Sequence, residues 1–166
     1  MVVTTSLVLT LCVFTISTSY AQIEDYKVRA GWIIAIIQYT KWHEKVDHAV
    51  ICTIGSDSVG LFLKQIKKEK NLPITIKEKN LDTSLDECHM LYVSDSEKDQ
   101  IRSIIDHVSE LPILTISTVR RFAERGGIVE FVIKEDRVSL LINISALKKS
   151  HLVLDSDLLS VSEHME

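Results

Sequence analysis

The chain has 166 residues and a formal net charge of −4. A mildly acidic chain without a clustered Lys/Arg face is not expected to bind duplex nucleic acid, because that binding requires a basic surface. The densest basic cluster, Lys64, Lys67, Lys68 and Lys70, is interrupted by Glu69 and is typical of a solvent-exposed helix face.

The first segment, residues 1–21, has the features of a signal peptide. It contains no charged side chain, and its largely apolar run from Leu7 to Phe14 is too short to span a bilayer. It ends in the small-x-small pattern Ser19 to Ala21, so cleavage is expected just before Gln22. The lack of Lys or Arg before the apolar run is unusual for a signal peptide, and an N-terminal core helix is the alternative. Residues 22–166 have the length of one soluble domain with a core of its own.

The elements after this segment begin with a helix and two strands. A first helix is predicted over Asp25–Trp42, which is apolar nearly all round, and a buried strand over Ala49–Ile54. A turn and N-cap at Gly55–Asp57 lead into a second helix. Its apolar residues recur at helical spacing: Val59, Phe62, Leu63 and Ile66. A second strand over Leu72–Ile76 is expected at a sheet edge, because Pro73 cannot donate to a ladder.

The middle of the chain repeats this alternation. A third strand is predicted over Cys88–Val93, followed by the capping-box spacing of Ser94 and Glu97 at the start of a third helix. The apolar stripe of that helix consists of Ile101, Ile104, Ile105 and Val108. A fourth strand is predicted over Leu111–Ile116.

The last third of the chain has a different pattern. After a short turn or helix near Thr118–Ala123, two apolar runs over Ile128–Ile133 and Val138–Ile144 predict an antiparallel hairpin, and a terminal helix is predicted over Asp155–Ser162. Strands that alternate with helices imply right-handed βαβ crossovers. The predicted fold is therefore α/β, three-layered and Rossmann-like, with a mostly parallel sheet, a C-terminal antiparallel hairpin and helices on both faces.

Two cysteines, Cys52 and Cys88, remain if the signal peptide is removed. In an oxidising compartment they are expected to form one disulfide, and two buried free thiols are the alternative. Both lie in predicted strands, so they can meet only if those strands are neighbours in the sheet. A bridge would close a loop of about 36 residues and would stabilise the fold by about 3–4 kcal/mol on the chain-entropy model.

The sequence contains no pattern typical of catalysis, of a cofactor site or of a metal site. The turn from Gly55 to Gly60 lacks both the Lys-Ser/Thr of a P-loop and the third glycine of a dinucleotide fingerprint, so it predicts an ordinary capped turn. His89 beside Cys88 is expected on the opposite face of its strand, as a sheet-face histidine and not a zinc ligand. No nucleophile–base pattern is present, so the chain is not expected to be an enzyme.

A charged cluster flanks the turn at Gly126-Gly127. It consists of Arg120, Arg121, Glu124 and Arg125. Such a cluster faces a ligand or is an exposed turn with local ion pairs, and the residues alone leave both interpretations open.

The segment from Phe122 to Val132, FAERGGIVEFV, resembles the F-A-E-x-G-G-x-x-x-F segment of the YfiR family. The resemblance extends to segments along nearly all of residues 22–166, in the family's order. The matching segments are Tyr26–Trp42 (a first helix ending in Trp), Cys52–Gly55 (C-V-L-G), Cys88–Ser94 (C-H-x-L-F-I-S), Pro112–Ser117 (P-V-L-T-V-S), and Leu141–Ile144 followed by Ala146–Lys149 (E-I-N-x-x-A-A). Two residues depart from the family: His43 stands where Pro is usual, and Gly31 lies inside the first helix.

The resemblance implies a periplasmic regulator that binds and represses the outer domain of a membrane signalling enzyme. The enzyme would be a diguanylate cyclase or a sensor kinase, with cyclic di-GMP as the cytoplasmic readout and not as a ligand. It also implies a homodimer without a cofactor and without membrane insertion after signal cleavage. In this reading the redox state of the Cys52–Cys88 disulfide modulates stability.

The partner surface is expected around Arg120–Phe131, because this charged, glycine-containing turn is poorly explained by core packing. Its predicted contact residues are Arg121, Glu124, Arg125 and Phe131. The alternative function is a periplasmic small-molecule sensor or binding module. Its site would lie near Gly55 and Ser94–Ser96, where the carboxyl ends of the strands meet. A redox enzyme is disfavoured, because the cysteines do not form a C-x-x-C motif.

Overall fold

The computed structural model describes residues 23–42 and 45–166. The predicted signal peptide, its cleavage site and His43 lie outside the described residues. Helix α1 covers residues 23–38. In chain order the other helices and strands are β1 (Thr40–Lys41), β2 (Ala49–Ile54), α2 (Val59–Lys70), β3 (Ile74–Lys79), β4 (Met90–Val93), α3 (Ile101–Val108), β5 (Leu114–Ser117), β6 (Val129–Lys134), β7 (Arg137–Asn143), α4 (Ile144–Lys149), β8 (Val153–Leu154), α5 (Ser156–Ser160) and β9 (Glu163–Met165).

The main sheet has seven strands in the order β3-β2-β4-β5-β6-β7-β9. Neighbouring strands are parallel except for the antiparallel hairpin of β6 and β7. The predicted fold class is therefore confirmed, as is the position of β3 at a sheet edge. A separate two-stranded antiparallel sheet pairs β1 with β8.

Helices cover both faces of the main sheet. On one face, α1 and α2 bury side chains such as Ile33 and Leu63 in a cluster with Tyr92 of β4. On the other face, hereafter the α3 face, Ile101 and Ile104 pack in a second cluster, which includes both cysteines. The four residues of the predicted α3 stripe are all buried, so the helical spacing in the sequence indicated the inward face correctly.

The first helix is shorter than predicted and is not interrupted. It continues through Gly31, where an added Cβ would meet no atom within 4 Å. It ends at residue 38, and the chain then forms strand β1. The Thr40 hydroxyl donates to the carbonyl of Ile36 at 2.6 Å, and the Asp155 N–H donates to the carbonyl of Tyr39 at 2.9 Å. Pairing with β8, which lies far along the chain, therefore ends the helix earlier than its apolar pattern indicated.

The predicted capping box at Ser94 and Glu97 is wrong. These residues belong to a 3₁₀ turn over Asp95–Glu97, and no side chain caps it. The Ser94 hydroxyl instead lies 2.8 Å from the Ser96 hydroxyl, and α3 begins only at Ile101. The serine hydroxyl is engaged by a side chain of its own turn, and this competes with the local capping interaction.

The C-terminal region contains more elements than its sequence pattern indicated. A terminal helix was predicted over Asp155–Ser162, and α5 is present but covers only Ser156–Ser160. Strand β9 follows it and adds a parallel edge beside β7. Helix α4, begun by Asn143, was missed. These elements are two to six residues long, which is too short for a periodic apolar pattern to appear.

Candidate functional site

The predicted partner segment forms a 3₁₀ turn over Ala123–Arg125 that is closed by two glycines. Gly126 has a φ of 103° and donates its N–H to the Ala123 carbonyl at 3.1 Å. At Gly127, an added Cβ would lie 2.1 Å from the ring of Phe122, which is fully buried. Glycine is therefore required at residue 127 because the backbone passes directly against an aromatic ring.

Beneath the turn lies a buried carboxylate, that of Glu130, which is 5% exposed. Its Oε1 accepts the N–H of Arg121 at 2.9 Å and its Oε2 accepts the N–H of Ala123 at 3.1 Å. A buried charge is tolerated when such hydrogen bonds satisfy it. Glu130 therefore fixes the path of the backbone that carries the charged cluster.

Two further buried side chains hold the same turn. Asn143 donates through Nδ2 to the Ala123 carbonyl at 2.7 Å and accepts the Ala146 N–H at 2.8 Å. Thr115 of β5 accepts the Ile128 N–H through its hydroxyl oxygen at 2.9 Å. We call Glu130, Asn143 and Thr115 the Glu130 network. It joins the turn to β5, β6 and the start of α4, and sequence analysis missed it.

Three of the four predicted contact residues lie together on the surface. Arg121 Nε is 2.5 Å from Glu124 Oε2, and both side chains are about half exposed or more, at 66% and 46%. Arg125 is also exposed, and its guanidinium donates to the Lys98 carbonyl at 3.3 Å. Phe131 is 7% exposed and packs in the α1-side core. The structure therefore brings Arg121, Glu124 and Arg125 together on the surface and places Phe131 in the interior.

Cys52 and Cys88 are joined by a disulfide on the α3 face. Cys52 lies in β2 and Cys88 lies two residues before the neighbouring strand β4, and the two Cα atoms are 5.8 Å apart. Cys52 is fully buried and Cys88 is 4% exposed, so the bridge lies within the core. It ties the two strands on either side of the topological switch in the sheet.

A cleft of about 760 Å³ opens near this disulfide, at the amino ends of β2 and β4. The Trp42 and His89 rings meet edge to face in it, with centroids 5.6 Å apart. Cys88 and His89 both line this cleft, because Cys88 precedes β4 and does not follow the alternation of the strand. The remaining lining residues are Lys45, Val46, Asp47, His48, Asp86, Glu87, Glu110, Pro112, His151 and Leu152.

His89 is held as a neutral imidazole in this cleft. Its Nδ1 lies 3.1 Å from the backbone N–H of Val50 and accepts it, so the ring proton is on Nε2. Burial lowers the pKa of His89, and the nearby His48 lowers it further. Within residues 23–42 and 45–166, no three or more His, Cys, Asp or Glu side chains are grouped so that they could hold a metal ion.

The carboxyl ends of the strands, where the alternative ligand site was expected, are filled by the chain itself. A Cβ on Gly55 would lie 2.1 Å from the Ser94 hydroxyl and 2.5 Å from that of Ser96. The Ser96 hydroxyl also accepts the N–H of Ser56 at 3.0 Å. The two loops therefore pack against each other, and the space beside Gly55 is occupied by serine side chains.

The polar groups beside these loops are paired as well. Asp57 accepts the Tyr92 hydroxyl through Oδ2 at 2.5 Å and the Val59 N–H through Oδ1 at 2.9 Å. Burial raises the pKa of Tyr92, and the carboxylate of Asp57 raises it further. The tyrosine is therefore a neutral hydrogen-bond donor that holds the turn after β2.

Comparisons with known proteins bear on this architecture. The sequence model of the YfiR/HmsC-like family matches residues 26–163. No curated protein matches the chain in sequence. Among solved structures, it is similar to a conserved domain protein from Vibrio cholerae O1 biovar El Tor, with a TM-score of 0.63 and 12% identity. The similarity covers 85% of this chain and 60% of that one, and at this identity it shows the fold alone.

The described helices were also compared with the length that a bilayer requires. Among residues 23–42 and 45–166, none of the helices combines the length and the apolar character needed to cross a membrane.

Proposed function

Because the chain belongs to the YfiR/HmsC-like family, we propose that it is a periplasmic regulator that binds and represses the outer domain of a membrane signalling enzyme. The observation that carries this proposal is the family match, which extends over residues 26–163. The proposed target is a diguanylate cyclase, with a sensor kinase as the second kind of partner. Cyclic di-GMP is then the cytoplasmic readout.

A role in binding, without turnover, agrees with the state of two carboxylates, one buried and one half-buried. The carboxylates of Glu130 and Asp57 are each held by two hydrogen bonds from the protein itself. Groups that are already satisfied in this way stabilise a fixed surface and are not poised for general acid or base chemistry. We therefore propose a regulator that acts by holding its partner.

The proposed contact surface contains Arg121, Glu124 and Arg125, which stand on the rigid turn above the Glu130 network. A charged rim of this kind contributes to partner choice and orientation. Repression further requires that the protein bind the inactive conformation of the outer domain more tightly than the active one. Phe131 is left out of this surface, because its side chain is buried.

The cellular test is deletion of the gene. Loss of a repressor is expected to raise cyclic di-GMP and biofilm formation, and the full chain supplied in trans is expected to restore both. A version that lacks residues 1–21 is expected not to restore them. Unchanged cyclic di-GMP after deletion, together with no cyclase or kinase recovered by co-purification from membranes, would falsify the regulator proposal.

The contact surface has a matched control on α3. The variant Arg121→Glu/Glu124→Arg exchanges the two charges, so a local ion pair remains but each charge occupies the other's position. This variant is expected to abolish co-purification of the cyclase. The same exchange in Arg102→Glu/Asp106→Arg alters another exposed pair, 3.9 Å apart, and is expected to leave co-purification intact. Equal loss with both variants would assign the effect to surface charge in general and not to this surface.

Export and assembly are part of the proposal. A periplasmic extract is expected to contain a chain that begins at Gln22 and folds as one domain over residues 22–166. Full-length protein that keeps Met1 in the cytoplasm at steady state would contradict export.

The purified mature chain is expected to be a homodimer, and light scattering coupled to size exclusion would show twice the chain mass.

A further inference from the structure

A second cavity, of about 260 Å³, lies directly beneath the turn at Gly126. It is bounded by α3, by the Arg125-Gly126 backbone and by the first turns of α4. Its volume corresponds to about nine water molecules, which is enough for a ligand of a few non-hydrogen atoms. The lining residues are Ile105, Val108, Ser109, Ile113, Thr115, Arg125, Gly126, Ile128, Asn143, Ser145, Ala146, Lys149 and Ser150.

The inner wall of this cavity suits an apolar body. Ile105, Val108 and Ile113 form it and are themselves buried. The buried polar groups of the wall are already satisfied within the protein. Thr115 accepts a backbone N–H, and the Ser150 hydroxyl donates to the Leu147 carbonyl at 2.8 Å. The interior therefore makes no further demand for a polar partner.

The outer part of the cavity carries positive charge without a matching acid. Of the described residues that line the cavity, Arg125 and Lys149 alone are charged, and both are exposed. Among residues 23–42 and 45–166, Lys149 has no side-chain hydrogen bond or ion pair, and the guanidinium of Arg125 donates to a neutral carbonyl at 3.3 Å. A cationic rim over an apolar wall is complementary to a molecule with a short apolar body and a negative head group.

We propose that this cavity is a binding site for a small free carboxylate with a short apolar chain. The chain would occupy the wall formed by α3, and the carboxylate would contact Arg125 and Lys149. The site shares Arg125 with the proposed partner surface and Asn143 and Thr115 with the Glu130 network. A ligand here would therefore contact the residues that hold the partner turn in place, although its binding to the purified protein does not depend on the proposed regulator function.

The test uses hexanoate as the probe with the purified mature chain. Hexanoate is expected to give a saturable calorimetric isotherm and a higher melting temperature. Two probes with the same chain and a different head group, 1-hexanol and hexylamine, are expected to bind more weakly and not at all, respectively. Equal binding of all three probes, or absence of saturable hexanoate binding, would overturn the proposal.

Variants then assign the site. Replacing either rim cation, by Arg125→Gln or Lys149→Gln, is expected to raise the dissociation constant about fivefold, because each contact is partly exposed to solvent. Lys148→Gln is the matched control, since Lys148 is also exposed but does not line the cavity. The melting temperature of each variant without ligand shows that it folds. If Lys148→Gln weakens binding as much as the rim variants do, hexanoate responds to surface charge alone and the proposed site is rejected.

Discussion

The α3 face of the sheet is secured at two places by different means. Between β2 and β4 it is tied covalently, by the Cys52–Cys88 disulfide. Between β5, β6 and β7 it is tied by hydrogen bonds of the Glu130 network. The first tie depends on the redox state of the compartment. The second depends on side chains from several elements that meet only in the completed fold, and these side chains also hold the proposed partner surface.

Removing the covalent tie is expected to have the largest effect. The double variant Cys52→Ala/Cys88→Ala should lose about 4 kcal/mol of unfolding free energy, since the bridge restricts the unfolded chain. Chemical denaturation measures this loss, and thiol titration of the denatured, unreduced wild type should find no free thiol. Adding reductant should destabilise the wild type and leave the double variant unchanged. Two titratable thiols would support the alternative of free cysteines.

Breaking the hydrogen-bonded tie should cost somewhat less. Glu130→Ala leaves one buried and one half-buried N–H group without acceptors and is expected to destabilise the protein by about 3 kcal/mol. Glu130→Gln should lie between wild type and alanine, because an amide offers only one oxygen to two donors. Glu124→Ala, in an exposed ion pair, is the control and should cost less than about 1 kcal/mol. A loss from Glu130→Ala no larger than the control's would show that the network does not hold the turn.

A third variant tests the close packing in the same turn. Gly127→Ala places a methyl group against the buried ring of Phe122 and is expected to cost about 2 kcal/mol through overpacking. Gly31→Ala is the matched control, because its added Cβ meets nothing within 4 Å in an exposed helical position. That change should stabilise the protein by about 0.5–1 kcal/mol. Melting curves of both variants measure the contrast, and a stabilising Gly127→Ala would contradict the packing argument.

The smallest expected effect is the contribution of His89, beside the disulfide, to the pH dependence of stability. The pKa of His89 is lowered in the folded protein, so the imidazole of His89 binds a proton more readily in the unfolded chain than in the folded one. This contribution to stability is present above the ordinary histidine pKa of about 6.5 and is lost as the pH falls below it. The fall in melting temperature between pH 7.5 and pH 5 should be smaller in His89→Gln than in the wild type. An identical slope in both proteins would rule out His89 as a source.

The sequence predicted best where long apolar patterns determine the structure. The stripes of α2 and α3 and the run of β2 correctly indicated their elements and buried faces, and strand–helix alternation indicated the sheet. Short elements such as β1 and β8 were not predicted, because each consists of two residues that pair with a strand far away in the sequence. The capping-box pattern gave a wrong prediction at Ser94, because a hydroxyl in the same turn, that of Ser96, competes for its side chain.

Only the exposure of the charged turn could be predicted, for a physical reason. Charged residues beside two glycines indicated an exposed turn, and Arg121, Glu124 and Arg125 do lie on the surface. Glu130 was missed because a carboxylate in a strand normally faces solvent, and the N–H groups that satisfy it come from a preceding turn. Phe131 was expected at the partner surface, but this part of β6 is covered on both faces, so Val129, Glu130 and Phe131 are all buried.

The small sheet of β1 and β8 also affects the order of events in folding. Thr40 pairs with Leu154, so most of the described chain lies between the two strands. A chain delivered from its N-terminus cannot form this pair until its last segment has emerged. Such non-local closure comes late and slows folding. The end of α1 therefore stays without its strand partner until the segment around Leu154 is in place.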